Sequence, residues 1–379
     1  MFFISLNITT KRCNSTLNSG SDTGDRMWFY GKSSGTIVSM LFSHSRLLSL
    51  LCFGVTLLAG IGVGWLLRGK AVEVPQISIL REPDGKYQLI NPLIGFNPGE
   101  KEDFAEYEGF EQKLENTLLL LQREGKIDTA SVYFRDLETG RWTGVNENEL
   151  YSPASLYKVA VMFAVLRKSE DNQKLLDERV TFTGSRSLEK PYDPGMVIGK
   201  SYSMRELLER MMTLSDNDAK DLLRDKVGIE VVSTVFSDLR LSEPRLNETG
   251  DSMSARTYSR FFRALYNATY LNRSNSEYAL NLLGKVLFKS GIINGLPPEA
   301  RMLLVAHKFG YRLFTDPMSN VTEELHDFGI VYVPHTPYFV CIMTKGFKQT
   351  DLMDAIQTLS ELVYAEAIRL EPISNLMPR

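Results

Sequence analysis

The sequence has few of the residues that build metal sites and disulfide frameworks. Its 379 residues include only three cysteines and four histidines. Cys13, Cys52 and Cys341 lie far apart, match no zinc-ligand spacing, and include one cysteine within an apolar run. We therefore predict no disulfide framework, no metal site and no cofactor.

The chain also lacks a strong excess of charge of either sign. Lysine and arginine total 43 against 46 aspartates and glutamates, which gives a net charge of −3. Nucleic-acid-binding domains present basic patches to phosphates, so this balance gives no reason to expect a nucleic-acid partner. A hydrophobic content of 43% is ordinary for a globular protein, and the length suits one large domain or two small ones.

One long uncharged run lies near the N-terminus, at residues 47–67 (LLSLLCFGVTLLAGIGVGWLL). A run of this length can cross a bilayer as a helix. No small-x-small cleavage site follows it, so we predict an uncleaved single-pass anchor in the cell membrane with the domain that follows it on the outer face. We predict that residues 1–46 form a disordered or mis-started tail. Residues 68–102, which contain four prolines, are predicted as a linker at the edge of the domain.

The periodicity of the remaining chain predicts an α+β domain over residues 103–370, followed by a tail at 371–379. A helix is expected at 103–124 and a hairpin in the segment SVYFRDLETGRWTG. The middle, from about 155 to 300, has mostly helical patterns, whereas the C-terminal part returns to strands in VAHKFGYR, HDFGIVYV and YFVCIM before a last amphipathic helix. The two ends of the domain are predicted to form one antiparallel sheet with the terminal helices packed on it.

A serine and a lysine open the apolar helix that follows the segment YSPASLYK. Ser155 and Lys158 are three positions apart, so they lie on one helix face. A neutral lysine can accept the proton of the serine, and burial is expected to lower the pKa of Lys158 toward that role. Taken alone the pair is a weak signal, since a surface serine beside a snorkelling lysine is the simpler interpretation.

Two further motifs occur in the chain, in an informative order. Ser215-Asp216-Asn217 lies at a break between two predicted helices, and Lys308-Phe309-Gly310 lies on a predicted strand. Taken alone, the first motif would be interpreted as a helix N-cap, and the second as a lysine on an edge strand. Together with Ser155 and Lys158 they resemble the class A β-lactamases and the penicillin-interacting D,D-peptidases, whose Ser-x-x-Lys, Ser-Asp-Asn and Lys-Thr-Gly motifs line one cleft. The resemblance covers about residues 103–370.

The resemblance implies a role for each residue that matches a motif. Ser155 would be the nucleophile, Lys158 its base, and Ser215 the group that passes a proton to the leaving nitrogen. Asn217 would bind an amide of the substrate. The oxyanion would lie between the backbone N–H groups of Ser155 and Tyr311, the first of them at a helix N-terminus.

Strand periodicity extends the implied site along the Lys308 strand. Lys308 would attract a substrate carboxylate, and Arg312, on the same strand face, is a candidate second partner for it. Gly310 would let the ligand lie close to the strand. Phe309 departs from the family pattern, because it replaces the threonine or serine whose hydroxyl would bind the carboxylate. His307 and His326 are assigned no role.

Residues 243–247, EPRLN, resemble the loop with which class A β-lactamases hold the deacylating water. Glu243 would be the general base, and Asn247 would help to fix the water. The alternative is an acidic turn before a helix, and the segment between Ser-Asp-Asn and this loop is shorter than in typical relatives.

Three functions remain open at this point. The first is a membrane-anchored serine hydrolase of the class A type that opens β-lactams. The second is a D,D-peptidase that acts on peptidoglycan stem peptides, which Phe309 and the short loop favour. The third is a non-catalytic binding or sensing domain on a membrane tether. The sequence does not indicate an oligomeric state.

Overall fold

The computed structural model describes residue 51 and residues 53–58, 79–81, 87–96, 109–185, 195–244, 253–315 and 321–369. The chain divides into two compact units, Met1–Val74 and Pro75–Arg379. In the first unit, residues 51 and 53–58 are helical. Across the described ranges no helix has the length and apolar character needed to cross a bilayer, and most of the predicted anchor at 47–67 lies outside those ranges. The predicted tails at 1–46 and 371–379 also lie outside them.

The second unit is built on antiparallel strands. The strands are β1 Ile79–Arg81, β2 Leu93–Phe96, β3 Thr129–Asp136, β4 Trp142–Val145, β5 Arg179–Thr181, β6 Ser201–Ser203, β7 Val305–Thr315, β8 Val321–Val331 and β9 Tyr338–Gly346. The main sheet has five strands in the order β4-β3-β9-β8-β7. Strands from both ends of the domain therefore share one sheet, as the sequence predicts. β1 pairs with β2, and β5 with β6, in two small separate sheets.

The helices occupy the middle and the two ends of the unit. They are α1 Phe110–Arg123, α2 Tyr157–Asp171, α3 Met204–Thr213, α4 Asn217–Val227, α5 Ile229–Asp238, α6 Ala255–Tyr266, α7 Arg273–Leu283, α8 Ile292–Gly295 and α9 Gln349–Arg369. The predicted helical middle and the α+β class are confirmed.

The core has two parts, one on each face of the main sheet. On one face α1 and α9 bury an apolar stripe that includes Leu114, Leu121, Ile356 and Leu359 against the sheet. On the other face lies the helical region, with α2 at its centre, where every side chain from Tyr157 to Leu166 is buried. β9 is covered on both faces, which explains its continuous apolar run instead of an alternating pattern.

The N-terminal boundary of the unit differs from the prediction. α1 begins at Phe110, after Gly109 with a φ of 78°, and residues 103–108 lie outside the described ranges. Part of the predicted linker at 68–102 forms β1 and β2. Between them Leu89 and Ile90 are buried, and their backbone N–H groups donate to the Glu277 carboxylate. This segment thus belongs to the compact unit, because tertiary contacts that its sequence does not reveal hold it there.

Two helix starts follow the capping signals of the sequence. Ser203 and Glu206 form a complete capping box at α3. At α4 the cap is Asp216, whose carboxylate accepts from the backbone N–H groups of Asp218 and Ala219. The chain therefore turns sharply between α3 and α4, and Ser215 stands in that turn.

The packing of α1 on the sheet can be tested with two leucines of that helix. Leu118 is 5% exposed, whereas Leu120 is 56% exposed. We expect Leu118→Ala to lower the free energy of unfolding by about 2–5 kcal/mol, because it leaves a cavity in the core. Leu120→Ala should change it by no more than about 0.5 kcal/mol. Chemical denaturation of both variants measures the difference, and equal losses would contradict the packing of this helix.

Candidate active site

A strained turn carries Ser155 into α2. The turn is a short 3₁₀-helix at Ala154–Leu156, and Ala154 has a φ of 45°. This left-handed conformation costs a residue with a Cβ roughly 1–2 kcal/mol. Such strain persists only where surrounding contacts hold the backbone, and it is frequent at functional sites. The Tyr258 hydroxyl supplies one of these contacts by donating to the Leu156 carbonyl.

The main sheet holds the same turn through Ser152. The Ser152 N–H donates to Glu324 Oε2 at 3.1 Å, and the Ser152 carbonyl oxygen lies 3.1 Å from His326 Nε2. Arg312 Nη1 donates to Ser152 Oγ at 2.8 Å. Ser152 lies three residues before Ser155. Its backbone N–H, its carbonyl oxygen and its hydroxyl all have partners on β7 or β8. His326 has a positioning role here that the sequence does not reveal, and Glu324 is missed altogether.

Gly310 allows the turn to approach β7 closely. A Cβ at this position would lie 3.1 Å from Leu156 Cδ2 and 3.3 Å from the Pro153 carbonyl oxygen. Gly310 is predicted to leave room for a ligand, but the room is taken by the turn itself. A glycine at this position therefore serves the packing of the turn at Ala154–Leu156 against β7.

The structure brings three of the predicted motifs together on two hydroxyl groups. Lys158 Nζ lies 2.6 Å from Ser155 Oγ and 3.3 Å from Ser215 Oγ. Lys308 Nζ lies 3.0 Å from Ser215 Oγ on the other side. Lys158 is 1% exposed and Lys308 is fully buried, whereas the two serines are half-buried. The four polar atoms form a continuous chain at the boundary between the helical region and the edge strand β7.

Two amines this close disfavour a double positive charge. Burial lowers the pKa of Lys308 well below its ordinary value, and the charge of Lys158 lowers it further, while Asp327 acts in the opposite direction. Burial penalises the charged form of any amine, and like charges penalise it again. The pair therefore favours a state in which one amine is neutral and can accept a proton.

The helical region fixes Ser215 as firmly as the sheet fixes Ser155. Ser215 has a φ of 57°, again in the left-handed region. Next to it Asp216 caps α4 and also accepts from Arg210 Nε and Nη2, at 2.9 and 2.7 Å. Asn217 is the first residue of α4 and is half-buried. The buried ion pair between Arg210 and Asp216 holds the turn that presents Ser215 and Asn217.

Glu243 lies on the Tyr157 side of the turn. Burial raises the pKa of the Tyr157 hydroxyl to about 12, and the Glu243 carboxylate contributes to the increase, which indicates that the two groups are near each other. The Tyr157 hydroxyl is buried and has no hydrogen-bond partner among the described residues. Asn247 lies outside those residues. Tyr157 is thus a further residue near the site that no motif singles out.

Aromatic rings surround the cations of β7. The Phe309 ring centroid lies 4.2 Å from Lys308 Nζ, and the ring stacks on Phe288 at 4.3 Å. The Arg312 guanidinium lies 4.5 Å from the Phe314 centroid. Lys308 and Arg312 are predicted to share a substrate carboxylate, but in the structure both contact protein groups instead.

The fit between Gly310 and the turn can be tested with a double-mutant cycle. Gly310→Ala should lower the free energy of unfolding by about 1–3 kcal/mol, because the new methyl group overpacks the contact with Leu156. In a Leu156→Ala background the same change should cost less, since the two nearest carbon atoms are gone. Thermal denaturation of the four proteins gives the coupling. An identical cost of Gly310→Ala in both backgrounds would contradict the close approach.

Comparisons with known proteins identify the family and the fold. A family model described as "Beta-lactamase enzyme family" matches residues 110–367. No curated protein matches the chain. The fold resembles the solved structure of PBP-A, with a TM-score of 0.60 at 20% identity over 70% of this chain and 98% of that one. A PBP-A mutant solved as an acyl-enzyme complex with penicillin G gives a TM-score of 0.58 at 20% identity, over 71% of this chain and 100% of that one.

A β-lactamase from Chitinophaga pinensis DSM 2588 is also similar in fold, with a TM-score of 0.59 at 19% identity over 69% of this chain and 100% of that one. At these identities the solved structures support the fold alone, whereas the family match extends over more than half of the chain. The chain belongs to the β-lactamase enzyme family and is a serine hydrolase of the β-lactamase type.

Proposed function

We propose that the chain is a class A type hydrolase that opens the amide of a β-lactam through an acyl-enzyme on Ser155. The observation that carries the proposal is the chain of contacts from Ser155 Oγ through Lys158 Nζ and Ser215 Oγ to Lys308 Nζ. Such a chain offers a nucleophile, a base within hydrogen-bond reach, and a route for the proton to the leaving group.

Lys158 is the base in this proposal. When it is neutral it accepts the proton of Ser155 while Oγ attacks the carbonyl carbon and forms the new C–O bond. The contact of 2.6 Å allows direct transfer. Like-charge repulsion between the two amines favours a proton on only one of them, and the proposal requires Lys158 to be the neutral one before attack. The positive charge that forms on Lys158 then stabilises the oxyanion intermediate.

Ser215 passes the proton on. A hydroxyl has two acceptor positions and one donor, and Lys158 and Lys308 occupy both acceptor positions of Ser215 Oγ. Its O–H is therefore free to point into the cleft. It donates to the lactam nitrogen as the C–N bond breaks, and Ser215 recovers a proton from Lys158. At the end of this half-reaction Ser155 is an ester and both amines have their starting charge.

Backbone and amide groups hold the acyl part of the substrate in this scheme. The N–H of Ser155, at the start of α2, and that of Tyr311, on β7, donate to the oxyanion, and the first benefits from the positive end of the helix dipole. Asn217 binds an amide of the acyl side chain. Gly310 keeps the turn and the strand close enough for the two N–H groups to converge.

Glu243 is the proposed base of the second half-reaction, and Asn247 helps to hold the water. The carboxylate takes a proton from the water while the water oxygen attacks the ester carbonyl. The C–O bond to Ser155 then breaks, and Oγ receives the proton that Glu243 had taken, so that Glu243 is ionised again. The influence of Glu243 on the pKa of Tyr157, the first residue of α2, supports a place for this carboxylate near the start of that helix.

A second candidate is a D,D-peptidase that forms the same acyl-enzyme but hydrolyses β-lactam esters slowly. Phe309 weakens the case for fast β-lactam turnover, because the family hydroxyl beside Lys308 is missing. The fold shared with PBP-A, of which a mutant holds penicillin G as an acyl-enzyme, is compatible with either candidate. The lifetime of the ester distinguishes the two.

The test follows penicillin G on the full-length chain by intact-protein mass spectrometry. We expect a transient adduct in the parent protein and none in Ser155→Ala. In Glu243→Gln the adduct should persist at least about 100-fold longer, since general-base catalysis is lost. Glu230→Gln, at an exposed glutamate of α5, is the matched control and should behave as the parent.

A long-lived adduct in the parent would favour the peptidase. No adduct, or one that survives Ser155→Ala, would rule out both candidates and leave a non-catalytic binding domain.

We also propose that residues 47–67 anchor the enzyme in the cell membrane, with the hydrolase on the outer face. The uncharged run of 21 residues supports this. After carbonate washing of cell fractions, the full chain should remain in the membrane pellet, and a variant without 47–67 should move to the supernatant. External protease should degrade the hydrolase only if it faces outward. Equal release of both chains by carbonate would argue against an anchor.

A further inference from the structure

Lys308, which would attract a substrate carboxylate in the family pattern, is already occupied by protein groups. A lysine ammonium has three N–H donors. One points to Ser215 Oγ at 3.0 Å, and a second to the Phe309 carbonyl oxygen at 2.8 Å. The face of the Phe309 ring lies 4.2 Å from Nζ, within the range of a cation–π contact. Two of the three donors therefore have protein acceptors, and the Phe309 ring covers a further side of the amine.

Phe309 places an aromatic ring beside Lys308, where the family pattern has a hydroxyl. Phe309 and Phe288 stack at 4.3 Å with their planes 22° apart, and both are half-exposed. Because the Phe309 ring lies against Lys308 Nζ, which in turn contacts Ser215 Oγ, the aromatic pair borders the side of the site where the leaving group departs. A stacked pair of this kind offers a flat apolar surface and no hydrogen-bond donor.

The other cation of this part of β7 makes its contacts elsewhere. Arg312 is four residues further along β7, about 13 Å away for an extended strand. Its guanidinium donates to Ser152 Oγ and lies over Phe314, so it already contacts protein groups.

We propose that the subsite formed by Phe288, Phe309 and Lys308 binds an uncharged, flat group, so that the substrate is an acyl compound whose leaving half has no free carboxylate. The inference rests on the proposed acyl transfer at Ser155 and specifies its substrate. A carboxylate in this subsite loses its hydration and meets an amine with two of its three donors already engaged, whereas an ester or aromatic group loses little and packs on the rings.

The test compares two probes that differ only in this group, penicillin G and its methyl ester. Both present the same lactam and the same acyl side chain to Ser155. On the full-length protein we expect the second-order rate constant of acylation to be equal for the two probes or higher for the ester. Intact-protein mass spectrometry follows the adduct, and Ser155→Ala confirms where it forms.

Variants at the subsite then shift the preference. Phe309→Thr supplies a hydroxyl and removes the ring from Lys308, so the ratio of acid to ester rates should rise by roughly tenfold or more, the effect of one charge-assisted hydrogen bond. Phe309→Leu keeps an apolar side chain without a donor and should leave the ratio low. Phe347→Thr is the matched control, at a phenylalanine that is 62% exposed in the loop after β9, and should leave the ratio unchanged.

The outcomes separate the two proposals. If the parent protein prefers the acid by tenfold or more, the uncharged subsite is wrong and the acyl-enzyme proposal stands. If neither probe labels Ser155, the acyl-enzyme proposal fails, and the inference about its substrate fails with it. If Phe309→Thr does not fold, the ratio measured on the parent protein alone still decides, because it requires no variant.

Discussion

The site depends on two buried amines that share one hydroxyl. Lys158 and Lys308 both donate to Ser215 Oγ, and both side chains are buried. Burying one amine is unfavourable, and placing a second beside it increases the penalty unless one of them gives up its proton. The pair therefore favours one neutral amine beside the Ser215 hydroxyl, at a pH where a free lysine would be charged.

Such a base is useful only if the hydroxyls are held in place, and each is held by a different part of the fold. The turn before Ser155 is fixed from the sheet, through the three contacts of Ser152 with Arg312, Glu324 and His326. Ser215 is fixed from the helical region, through the pair of Arg210 and Asp216. The hydroxyl and amine groups thus meet between the main sheet and the helical region, and their placement depends on the packing of both.

Much of this arrangement could be predicted from local sequence. The strands and most helices follow from periodicity and caps, and the serine and lysine motifs meet as their order suggests. What could not be predicted depends on partners distant in the chain. Nothing near Glu324 in the sequence indicates that its carboxylate accepts from Ser152. The presence of Phe309 in place of the family hydroxyl does not reveal that Phe288 stacks on its ring. Likewise, the segment that joins β1 to β2 looks like a linker, because Leu89 and Asn91 contact Glu277 and Tyr266, which come from a later part of the chain.

Ala154 and Ser215 share one further property, a left-handed backbone at a residue with a side chain. Each such conformation takes roughly 1–2 kcal/mol from a total stability that is only about 5–15 kcal/mol for an ordinary domain. The protein consequently stores folding energy as backbone strain at Ala154, beside Ser155, and at Ser215 itself. Under the proposed mechanism, selection for heat resistance and selection for turnover would act on these two positions in opposite directions.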